Sequence, residues 1–294
     1  MKTNSQPLVS ICIPTYNGEV YLSECLDSAL CQTYTNIELI ISDDASTDNT
    51  LAIVNAVKAK TDIPIHIFNH SPNGIGANWN NCIKHANGAY IKFLFQDDVL
   101  VPNCIEKLMD VMLSEDNIAM VYAKRYFMYE KETQHILEFK KVYGELHKYW
   151  SKLEVIEGVL NGKDYLKDNN FLNAPKNKIG EPTSVLLNKE CFKKVGYFNE
   201  ELKQALDVEY WSRLMPYYDI GFVDEVLSSF RLHQAQASAI NKSKKINESH
   251  TLHKIYYNKL LPYLHNDCRW KLMKKFHPIL SRLVKLKAKF GRNA

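Results

Sequence analysis

The fold of this chain is decided by the stretch Ala89-Tyr-Ile-Lys-Phe-Leu-Phe-Gln-Asp-Asp-Val-Leu-Val-Pro102. Its first part, residues 90–95, is short, apolar and aromatic, which is typical of a strand buried in a sheet. The strand leads into two adjacent carboxylates, Asp97 and Asp98, at the position where open α/β sheets bind ligands. Two like charges side by side predict a divalent cation that holds a phosphate. A solvated turn before a helix is the alternative that this stretch alone leaves open.

The same kind of pattern extends from this strand toward the amino terminus. Strands are predicted over residues 8–13, 37–41 and 63–68, and helices over residues 19–31, 49–60 and 73–86. The links between these elements are short, and strands that alternate with helices in this way form parallel sheets. The sequence therefore predicts a Rossmann-like, doubly wound α/β fold with a mostly parallel sheet.

The pattern toward the carboxyl terminus is less regular. Residues 124–180 mix aromatic with charged side chains, are compatible with a hairpin and a variable lobe, and receive no firm assignment. We expect this region to form a smaller lobe beside the sheet. The elements that can be predicted here are helices over 103–114 and 208–217 and strands over 118–122, 183–187, 220–223 and 226–231.

Length and composition indicate a water-soluble α/β protein of one large domain or two modest ones. The chain has 294 residues and contains no run of eighteen apolar residues, so no transmembrane helix is expected. Its amino terminus leads directly into a strand, without the apolar core of a signal peptide. The seven cysteines include no CxxC pair, which favours buried free thiols over disulfides or a zinc site. These features predict a cytoplasmic location.

Positive charge is concentrated at the carboxyl terminus. Nine cations and no acidic residue lie within residues 269–294, whereas the whole chain has a net charge of +4. Residues 269–290 combine eight of these cations with apolar side chains at a spacing compatible with an amphipathic helix, which Pro278 should break or kink. Such a helix lies on an anionic membrane surface or packs its apolar stripe on the protein, and both interpretations remain open.

Polar clusters follow three of the predicted strands. They are Pro14-Thr-Tyr-Asn17, residues 43–48 and Gln96-Asp-Asp98. Because the carboxyl ends of parallel strands share one edge of the sheet, the three clusters can converge on one ligand. Each cluster alone is equally compatible with turn formation and helix capping, but three on the same edge favour a binding site.

Longer motifs surround these clusters: Val9-Ser-Ile-Cys-Ile-Pro-Thr-Tyr-Asn17, Ser42-Asp-Asp-Ala-Ser-Thr-Asp-Asn-Thr50 and Asn87-Gly-Ala-Tyr-Ile-Lys-Phe-Leu-Phe-Gln-Asp-Asp98. In order and spacing they resemble family 2 glycosyltransferases of the GT-A fold. A weaker similarity continues through Asp207-Val-Glu-Tyr-Trp-Ser-Arg-Leu214 and Phe230-Arg-Leu-His233, to about residue 235. The resemblance implies a GT-A domain over residues 1–240, with a nucleotide-binding half (1–123) and an acceptor half (124–240). A basic helical extension (241–294) would follow.

The resemblance also implies an inverting enzyme with a nucleotide-diphosphate sugar donor and Mn²⁺ or Mg²⁺ as cofactor. Tyr16 would stack on the base, and Asp44 would accept a hydrogen bond from an imide N–H of uracil, which cytosine lacks. Asp97 would reach the ribose or the metal, Asp98 would ligate the metal, and His233 would reach the metal or the diphosphate. The residues implied to bind the nucleotide are Pro14, Thr15, Tyr16, Asn17, Asp43, Asp44, Asn73, Asn80 and Asp97.

Asp207 is implied to be the general base, which takes the proton of an acceptor hydroxyl as that hydroxyl attacks the anomeric carbon. Direct displacement of this kind inverts the anomeric centre. Glu209, two residues further on, is the rival base, and a helix N-cap is the structural alternative for Asp207. Trp211 is expected to belong to the core.

Three positions depart from the family pattern. Phe95 stands where the family usually has an acid two residues before Asp97. Trp79 lies in a segment that often carries an arginine in the family, and Leu206 replaces a second acid before the base. The first departure leaves open which of Asp97 and Asp98 is the main metal ligand.

The expected function is transfer of a hexosyl or N-acetylhexosaminyl group, with UDP the expected nucleotide, to a saccharide or lipid-linked acceptor in surface polysaccharide synthesis at the inner face of the plasma membrane. A sugar-phosphate nucleotidyltransferase is an alternative, but it usually begins with a Gly-rich loop that carries a basic residue. A second alternative is a nucleotide-sugar-binding protein that has lost catalysis, and Phe95, which replaces an acid usual in the family, is compatible with it. No nucleic acid partner is expected, because no recognised motif accompanies the basic tail and the rest of the chain is net negative.

Overall fold

The computed structural model describes residues 6–233, 236, 241, 244 and 246–290. Within this part of the chain, nine strands form one mixed sheet with helices on both faces. The strands are β1 (Val9–Thr15), β2 (Ile37–Asp43), β3 (Ile65–Asn69), β4 (Tyr90–Phe93), β5 (Val99–Leu100), β6 (Ile118–Met128), β7 (Gly158–Asn161), β8 (Val185–Asn188) and β9 (Asp219–Arg231).

The helices in the described part of the chain range from one to four turns in length. They are α1 (Leu22–Leu30), α2 (Thr50–Lys58), α3 (Ile75–His85), α4 (Cys104–Met112), α5 (Gln134–Tyr143), α6 (Gly162–Leu166), α7 (Cys191–Val195), α8 (Leu206–Leu214), α9 (Ser249–Lys259), α10 (Asn266–Phe276) and α11 (Pro278–Phe290). Short 3₁₀ turns span Leu146–Tyr149, Pro182–Ser184 and Leu261–Tyr263.

The amino-terminal half of the sheet is parallel, in the strand order β3-β2-β1-β4. β1 and β2 are buried along almost their whole length because helices cover both faces, which explains their continuous apolar sequences. The predicted strands at 8–13, 37–41, 63–68 and 90–95 and the predicted α/β fold class are confirmed. Parallel pairing places the carboxyl ends of β1, β2 and β4 at one edge of the sheet.

The other half of the sheet differs from the prediction at its longest strand, and it also contains β5 and β7, which the sequence did not predict. The sequence predicts separate strands at 220–223 and 226–231, but the structure has a single strand, β9, parallel to β6. β6 continues to Met128 and offers a partner along this whole length, and register shifts around Lys124 accommodate the polar residues in the middle of β9. The hairpin considered after residue 124 is wrong for the same reason, since the end of β6 pairs with β9 and α5 follows it.

Two hydrophobic cores lie on opposite faces of the sheet. One includes side chains of α1 and α4, such as Leu26 and Leu108. The other includes Trp211 of α8, as expected from the sequence, together with Tyr256 of α9 and Leu272 of α10. The seven cysteines are free, and all except Cys31 are buried. No described helix is both long and apolar enough to cross a membrane.

The carboxyl-terminal helices fall into two groups. α10 buries Cys268 and Leu272 against the body of the protein. For this helix, the structure agrees with the interpretation in which the apolar stripe packs on the protein. The helix is interrupted at Pro278, as predicted, and α11 begins there. On α11, Ile279 and Leu283 are 65% and 56% exposed. The side chains of residues 285–290 and all of residues 291–294 lie outside the described residues, and the predicted domain boundary near residue 240 stays a prediction.

The first turn of α3 packs closely against the beginning of α8. A Cβ atom at Gly76 would lie 2.7 Å from Leu206 Cδ2 and 3.2 Å from the Cα atom of Glu200. Only glycine allows this approach without displacing the backbone. The contact brings the residues that follow Leu206, including Asp207, toward the carboxyl edge of the parallel strands.

Candidate active site

The loops that follow β1 and β2 are joined by hydrogen bonds. Thr15 Oγ1 donates to Asp43 Oδ1 at 2.8 Å, and the backbone N–H of Asp44 donates to the carbonyl of Thr15 at 2.9 Å. Asn17 has a left-handed backbone (φ 46°), and its Oδ1 accepts a bond from the N–H of Thr47 at 2.8 Å. The side chains of Thr15, Asn17 and Asp43 therefore hold the two loops together through hydrogen bonds within the protein.

The loop after β4 joins the same edge through Gln96. The N–H of Tyr16 donates to Gln96 Oε1 at 2.8 Å, and Gln96 Nε2 donates to the carbonyl of Tyr16 at 3.1 Å. The Tyr16 side chain is 57% exposed, so its ring has a face available to a ligand. The three predicted strand ends thus converge, although Gln96 itself was not singled out from the sequence.

Asp44 lies at this edge in contact with a histidine that the sequence did not single out. Its Oδ1 contacts Nδ1 of His70, the residue after β3. Burial raises the pKa of Asp44, and the bond to His70 acts in the opposite direction. The only sequence signal for His70 was a polar residue at the end of a fourth parallel strand.

The structure does not support a nucleotide-binding role for Asn80. Its side chain is 1% exposed. Its Oδ1 accepts from the N–H of Phe198 at 3.0 Å, and its Nδ2 donates to the carbonyl of Phe198 at 3.0 Å and to Glu200 Oε1 at 2.8 Å. A nucleotide could reach this amide only by breaking those bonds. Asn73, by contrast, is exposed just before α3, and Pro14 is half-buried within β1.

Asp97 and His233 form a pair at the surface of the cleft. His233 Nε2 lies 2.9 Å from Asp97 Oδ2, and about a fifth of each side chain is exposed. Arg231 holds this corner, since its Nε donates to the carbonyl of Asp97 at 2.8 Å. The Arg-x-His pattern at the end of β9 therefore brings His233 to Asp97, and its role toward a metal or a diphosphate stays a prediction.

The surroundings of Asp98 do not suit the predicted role of a metal ligand. Its side chain is 0% exposed. Its Oδ2 accepts from Thr183 Oγ1 at 2.6 Å, and its Oδ1 accepts from the N–H of Arg231 at 3.0 Å. Burial, and then the neighbouring carboxylate of Asp97, raise the pKa of Asp98. With both oxygens bonded inside the protein, Asp98 supports the site, and Asp97 is the carboxylate that faces the cleft.

The donor set at this corner fits a hard divalent cation. The described residues contain no group of three His, Cys, Asp or Glu side chains arranged to hold a metal. Asp97 and His233 supply two ligands, and Mg²⁺-type sites commonly use one or two carboxylates together with substrate phosphates and water. The protein part of the site is therefore compatible with Mn²⁺ or Mg²⁺ only when a phosphate-bearing ligand completes it.

Two departures from the family pattern contact each other. Trp79 stacks on Phe95 with ring centroids 5.1 Å apart and meets Phe198 edge-on at 5.2 Å. Aromatic pairs in these geometries are favourable, and the cluster belongs to the core below the site. The aromatic ring at position 95 is thus packed against the tryptophan at position 79.

Residues 177–184, which we call the linking segment, connect the carboxylates of the strand edge to Asp207. Thr183 bonds Asp98 at one end, and at the other end Asn177 Nδ2 donates to Asp207 Oδ2 at 2.7 Å. Between them, Glu181 forms an ion pair with the buried Arg125, at 2.5 Å between Oε2 and Nε. Nothing in the sequence pattern identified Asn177, because residues 124–180 received no firm assignment. Glu181 lies between that region and the predicted strand at 183–187, and no motif marked it.

The environment of Asp207 suits a group that exchanges a proton near neutral pH. Burial and the negative charge of Glu181 raise its pKa to about 7, although the bonds from the N–H of Val208 and from Asn177 act in the opposite direction. A general base is most effective when its pKa lies near the working pH. Asp207 lies in the first turn of α8, so its acidic side chain also suits the helix dipole.

Glu209 does not face the cleft. Its side chain is 1% exposed, and its Oε1 and Oε2 lie 2.8 and 2.9 Å from Arg213 Nε. Arg213 in turn donates to the carbonyls of Val195 and Tyr197. Glu209 is therefore part of a structural ion pair, and the geometry favours Asp207 over its rival.

The mixed sheet with helices on both faces is a fold of the GT-A glycosyltransferase type. The profile of glycosyl transferase family 2 matches residues 10–196, and the chain belongs to this family. A glycosyltransferase of Rickettsia typhi is 32% identical over 242 residues, which cover 81% of this chain and 68% of that protein. The hyaluronan synthase of Pasteurella multocida is 39% identical over 119 residues, 40% of this chain and 12% of that protein.

Solved structures share the fold at low sequence identity. Staphylococcus aureus TarS (residues 1–349) in complex with UDP-GlcNAc superposes with a TM-score of 0.64 and 18% identity, covering 91% of this chain and 73% of that one. The mannosyltransferase of Pyrobaculum calidifontis in complex with GDP-Man and Mn²⁺ gives a TM-score of 0.57 and 15% identity, covering 98% and 81%. At these identities the likeness demonstrates the fold alone.

Proposed function

We propose that this chain is an inverting glycosyltransferase that moves a hexosyl or N-acetylhexosaminyl group from a UDP-linked donor to a hydroxyl group of a saccharide or lipid-linked acceptor. The observation that carries the proposal is the linking segment, which bonds Asp98 through Thr183 and Asp207 through Asn177. It holds a carboxylate whose pKa is about 7 beside the edge that faces a diphosphate. Glycosyl transfer with a base needs these two features in one cleft.

In this proposal, residues 1–123 bind the nucleotide and residues 124–240 bind the acceptor. Tyr16 stacks on the base, and Asp44, whose Oδ1 contacts His70, accepts the uracil imide N–H through its Oδ2. Asp97 and His233 hold the divalent cation, which offsets the negative charge of the leaving diphosphate. Asp207 takes the proton of the acceptor hydroxyl while the oxygen bonds to the anomeric carbon from the side opposite the leaving group, so the centre is inverted.

Two solved structures support the proposed type of donor, and one relative supports the proposed role in polysaccharide synthesis. The TarS structure contains UDP-GlcNAc, and the mannosyltransferase structure contains GDP-Man with Mn²⁺, so metal-assisted use of a nucleotide sugar occurs on this fold. The local similarity to hyaluronan synthase favours a role in polysaccharide synthesis. The proposed location at the cytoplasmic face of the membrane rests on the expectation from the sequence alone. Incubating the purified chain with a panel of nucleotide sugars and Mn²⁺, and measuring donor hydrolysis, tests the proposal. Hydrolysis of none of them above a metal-free control would contradict it.

Activity is expected to depend on pH through Asp207. A base must be deprotonated to accept a proton, and the pKa of Asp207 is raised to about 7. Transfer should therefore be fast above pH 7 and should fall about tenfold for each pH unit below it, as the ionised fraction falls. The dependence of kcat on pH between 5 and 9 measures this. A flat profile down to pH 5 would contradict the assignment of Asp207 as the base.

We also propose that α11 contacts an anionic membrane. Ile279 and Leu283 are exposed one helical turn apart, Trp270 is exposed on α10, and cations such as Arg282 lie among them. Apolar side chains flanked by cations are typical of helices that lie in the membrane interface. Contact at this surface would keep the enzyme beside a lipid-linked acceptor.

The double substitution Ile279→Ser and Leu283→Ser should reduce co-sedimentation with vesicles containing phosphatidylglycerol by about tenfold or more, because burying each side chain contributes about 1.5–3 kcal/mol. The matched control is Val20→Ser with Leu113→Ser, which removes two equally exposed apolar side chains elsewhere. High salt should weaken binding of the parent chain. Equal losses in both double variants, or no binding by the parent chain at low salt, would show that α11 is not a membrane contact.

A further inference from the structure

A group of basic side chains includes the neighbours of Asn177, the residue that bonds the candidate base. We call it the lysine cluster, and its members are Lys176, Lys178, Lys271, Lys275 and His253. Lys176 Nζ lies 3.4 Å from Nε2 of His253, and Lys275 Nζ lies 3.3 Å from Nδ1 of the same ring. One imidazole thus separates two ammonium groups that come from distant parts of the chain.

In the described part of the chain, no carboxylate forms an ion pair with any of the four lysines. The charge of Asp168 acts on Lys178 without such a pair and only opposes the effect of burial on the pKa of that lysine. Burial, followed by the charges of Lys271 and Lys275, lowers the pKa of Lys176. Burial and Lys176 lower the pKa of Lys178 to about 8. Burial and the two nearby ammonium groups lower the pKa of His253 to about 4. Like charges held together in this way favour an anionic ligand that would offset them.

The backbone around the cluster is fixed by its own hydrogen bonds. Lys178 is buried, and its Nζ donates to the carbonyls of Asn173 and Pro175, at 2.9 Å each. Lys176 Nζ donates to the carbonyl of Leu172. Lys271 approaches from α10, and its Nζ lies 3.4 Å from Asn173 Oδ1. The cations are therefore presented by a defined loop packed against two helices, α9 and α10.

Helix termini explain only part of this arrangement. Lys275 lies in the last turn of α10, where a cation is favourable near the free carbonyls. Lys176 and Lys178 come from the loop before the linking segment and at its start, and no helix end accounts for their charge. Helix capping therefore accounts for Lys275 but not for Lys176 and Lys178.

The position of the cluster points to the acceptor. Asn177, which donates to Asp207 Oδ2 at 2.7 Å, directly follows Lys176 in the chain. Consecutive Cα atoms lie about 3.8 Å apart, so the cluster begins one residue from the group that positions the base. Asp207 faces the acceptor hydroxyl in the proposed reaction. An anionic group held by the cluster would belong to the same acceptor molecule.

We propose that the lysine cluster binds a phosphate group of the glycosyl acceptor, so that the acceptor is a phosphate-bearing molecule whose reactive hydroxyl lies near that phosphate. Lysine ammonium groups bind phosphate as point charges, and several of them together provide both attraction and placement. The proposal rests on the proposed function, since it takes Asp207 as the group that meets the acceptor. It adds the chemical class of the acceptor to that function.

Equilibrium dialysis of the full chain against radioactive inorganic phosphate tests this, with UDP and Mg²⁺ at saturation to fill the donor site and chloride to keep ionic strength constant. Lys176→Gln with Lys275→Gln should weaken phosphate binding about tenfold or more, since charge-assisted hydrogen bonds are lost. Lys271→Gln with Lys275→Gln changes only exposed side chains and should weaken it to a similar extent. The control, Lys58→Gln with Lys60→Gln, removes the same charge from an exposed region near the end of α2.

Each outcome decides the proposal. Loss in both cluster variants with binding kept in the control supports it. Equal loss in all three variants would mean that phosphate responds only to net charge, and no saturable phosphate binding by the parent chain would overturn the proposal directly. Reduced binding to phosphatidylglycerol vesicles without reduced phosphate binding would make the cluster a membrane contact instead. Failure of the parent chain to bind UDP contradicts the proposed function alone. The test of the lysine cluster is the difference in phosphate binding between the cluster variants and the control variant, and that difference can be compared whether or not UDP is bound.

Discussion

Asp207→Asn is expected to lower kcat by about 10²–10⁴-fold, the usual contribution of a positioned general base. The substitution keeps the shape of the side chain and removes its ability to accept a proton. Asn177 cannot rotate to suit the new amide, because its Oδ1 already accepts from the N–H groups of Ile179 and Gly180. The amide should therefore turn its oxygen to Asn177 and lose the bond from Val208, which costs about 1 kcal/mol of stability. UDP affinity, measured by calorimetry, should not change.

Glu209→Gln is the matched comparison, since it neutralises a carboxylate two residues away on the same helix. It weakens the buried pair with Arg213, so the free energy of unfolding should fall by about 1–3 kcal/mol. The kcat of the folded enzyme should remain near that of the parent chain. If Glu209→Gln abolished transfer while Asp207→Asn retained it, the base would be Glu209 and the interpretation of the cleft would have to be reversed.

The parallel half of the fold could be predicted because its signals are local. β1 and β2 are continuous apolar runs that end in polar turns, and the structure gives them bounds close to those predicted. β9 could not be predicted as one strand, because Asp224 and Glu225 interrupt its apolar pattern like a turn. Pairing with β6 through register shifts outweighs that local signal, and such pairing is not visible in sequence periodicity.

The candidate site could also be predicted only in part, namely where its sequence signals are local. Strand ends identify Tyr16, Asp44 and Asp97, because parallel strands must end at one edge. Asn80 has the same polar character, yet it faces Phe198, and nothing in its sequence neighbourhood distinguishes an amide that bonds the backbone from one that faces a ligand. Asn177 comes from a segment whose position depends on tertiary packing, so only the structure brings it to the base.

The position of Asp98 shows most clearly what the structure adds. Adjacent carboxylates look equivalent in a sequence, but the turn that carries them after β4 gives the two side chains different surroundings. Asp97 meets His233 at the surface, whereas Asp98 turns inward to Thr183 and to the N–H of Arg231. The two residues are therefore expected to differ in their effect on ligand binding, and this difference can be measured.

Asp97→Asn is expected to weaken UDP binding in the presence of Mn²⁺ by about 10–100-fold, because even indirect partners of a metal contribute that much. The variant should approach the affinity that the parent chain has in EDTA, and EDTA should have little further effect on it. Calorimetric titration of UDP with Mn²⁺ or with EDTA measures both quantities. Equal UDP affinity of the parent chain in the two conditions would exclude a metal-bridged diphosphate.

Asp98→Asn is the control that separates the two carboxylates. An amide can replace Asp98 without unpaired groups, because its oxygen can accept from the N–H of Arg231 while its Nδ2 donates to the Thr183 hydroxyl. The variant should fold and keep most of its Mn²⁺-dependent UDP affinity, since the carboxylate that faces the cleft is unchanged. The opposite result, with Asp98→Asn losing that affinity and Asp97→Asn keeping it, would mean that Asp98 leaves its internal bonds when ligand binds. In that case the prediction made from the sequence, with Asp98 as the metal ligand, would be correct.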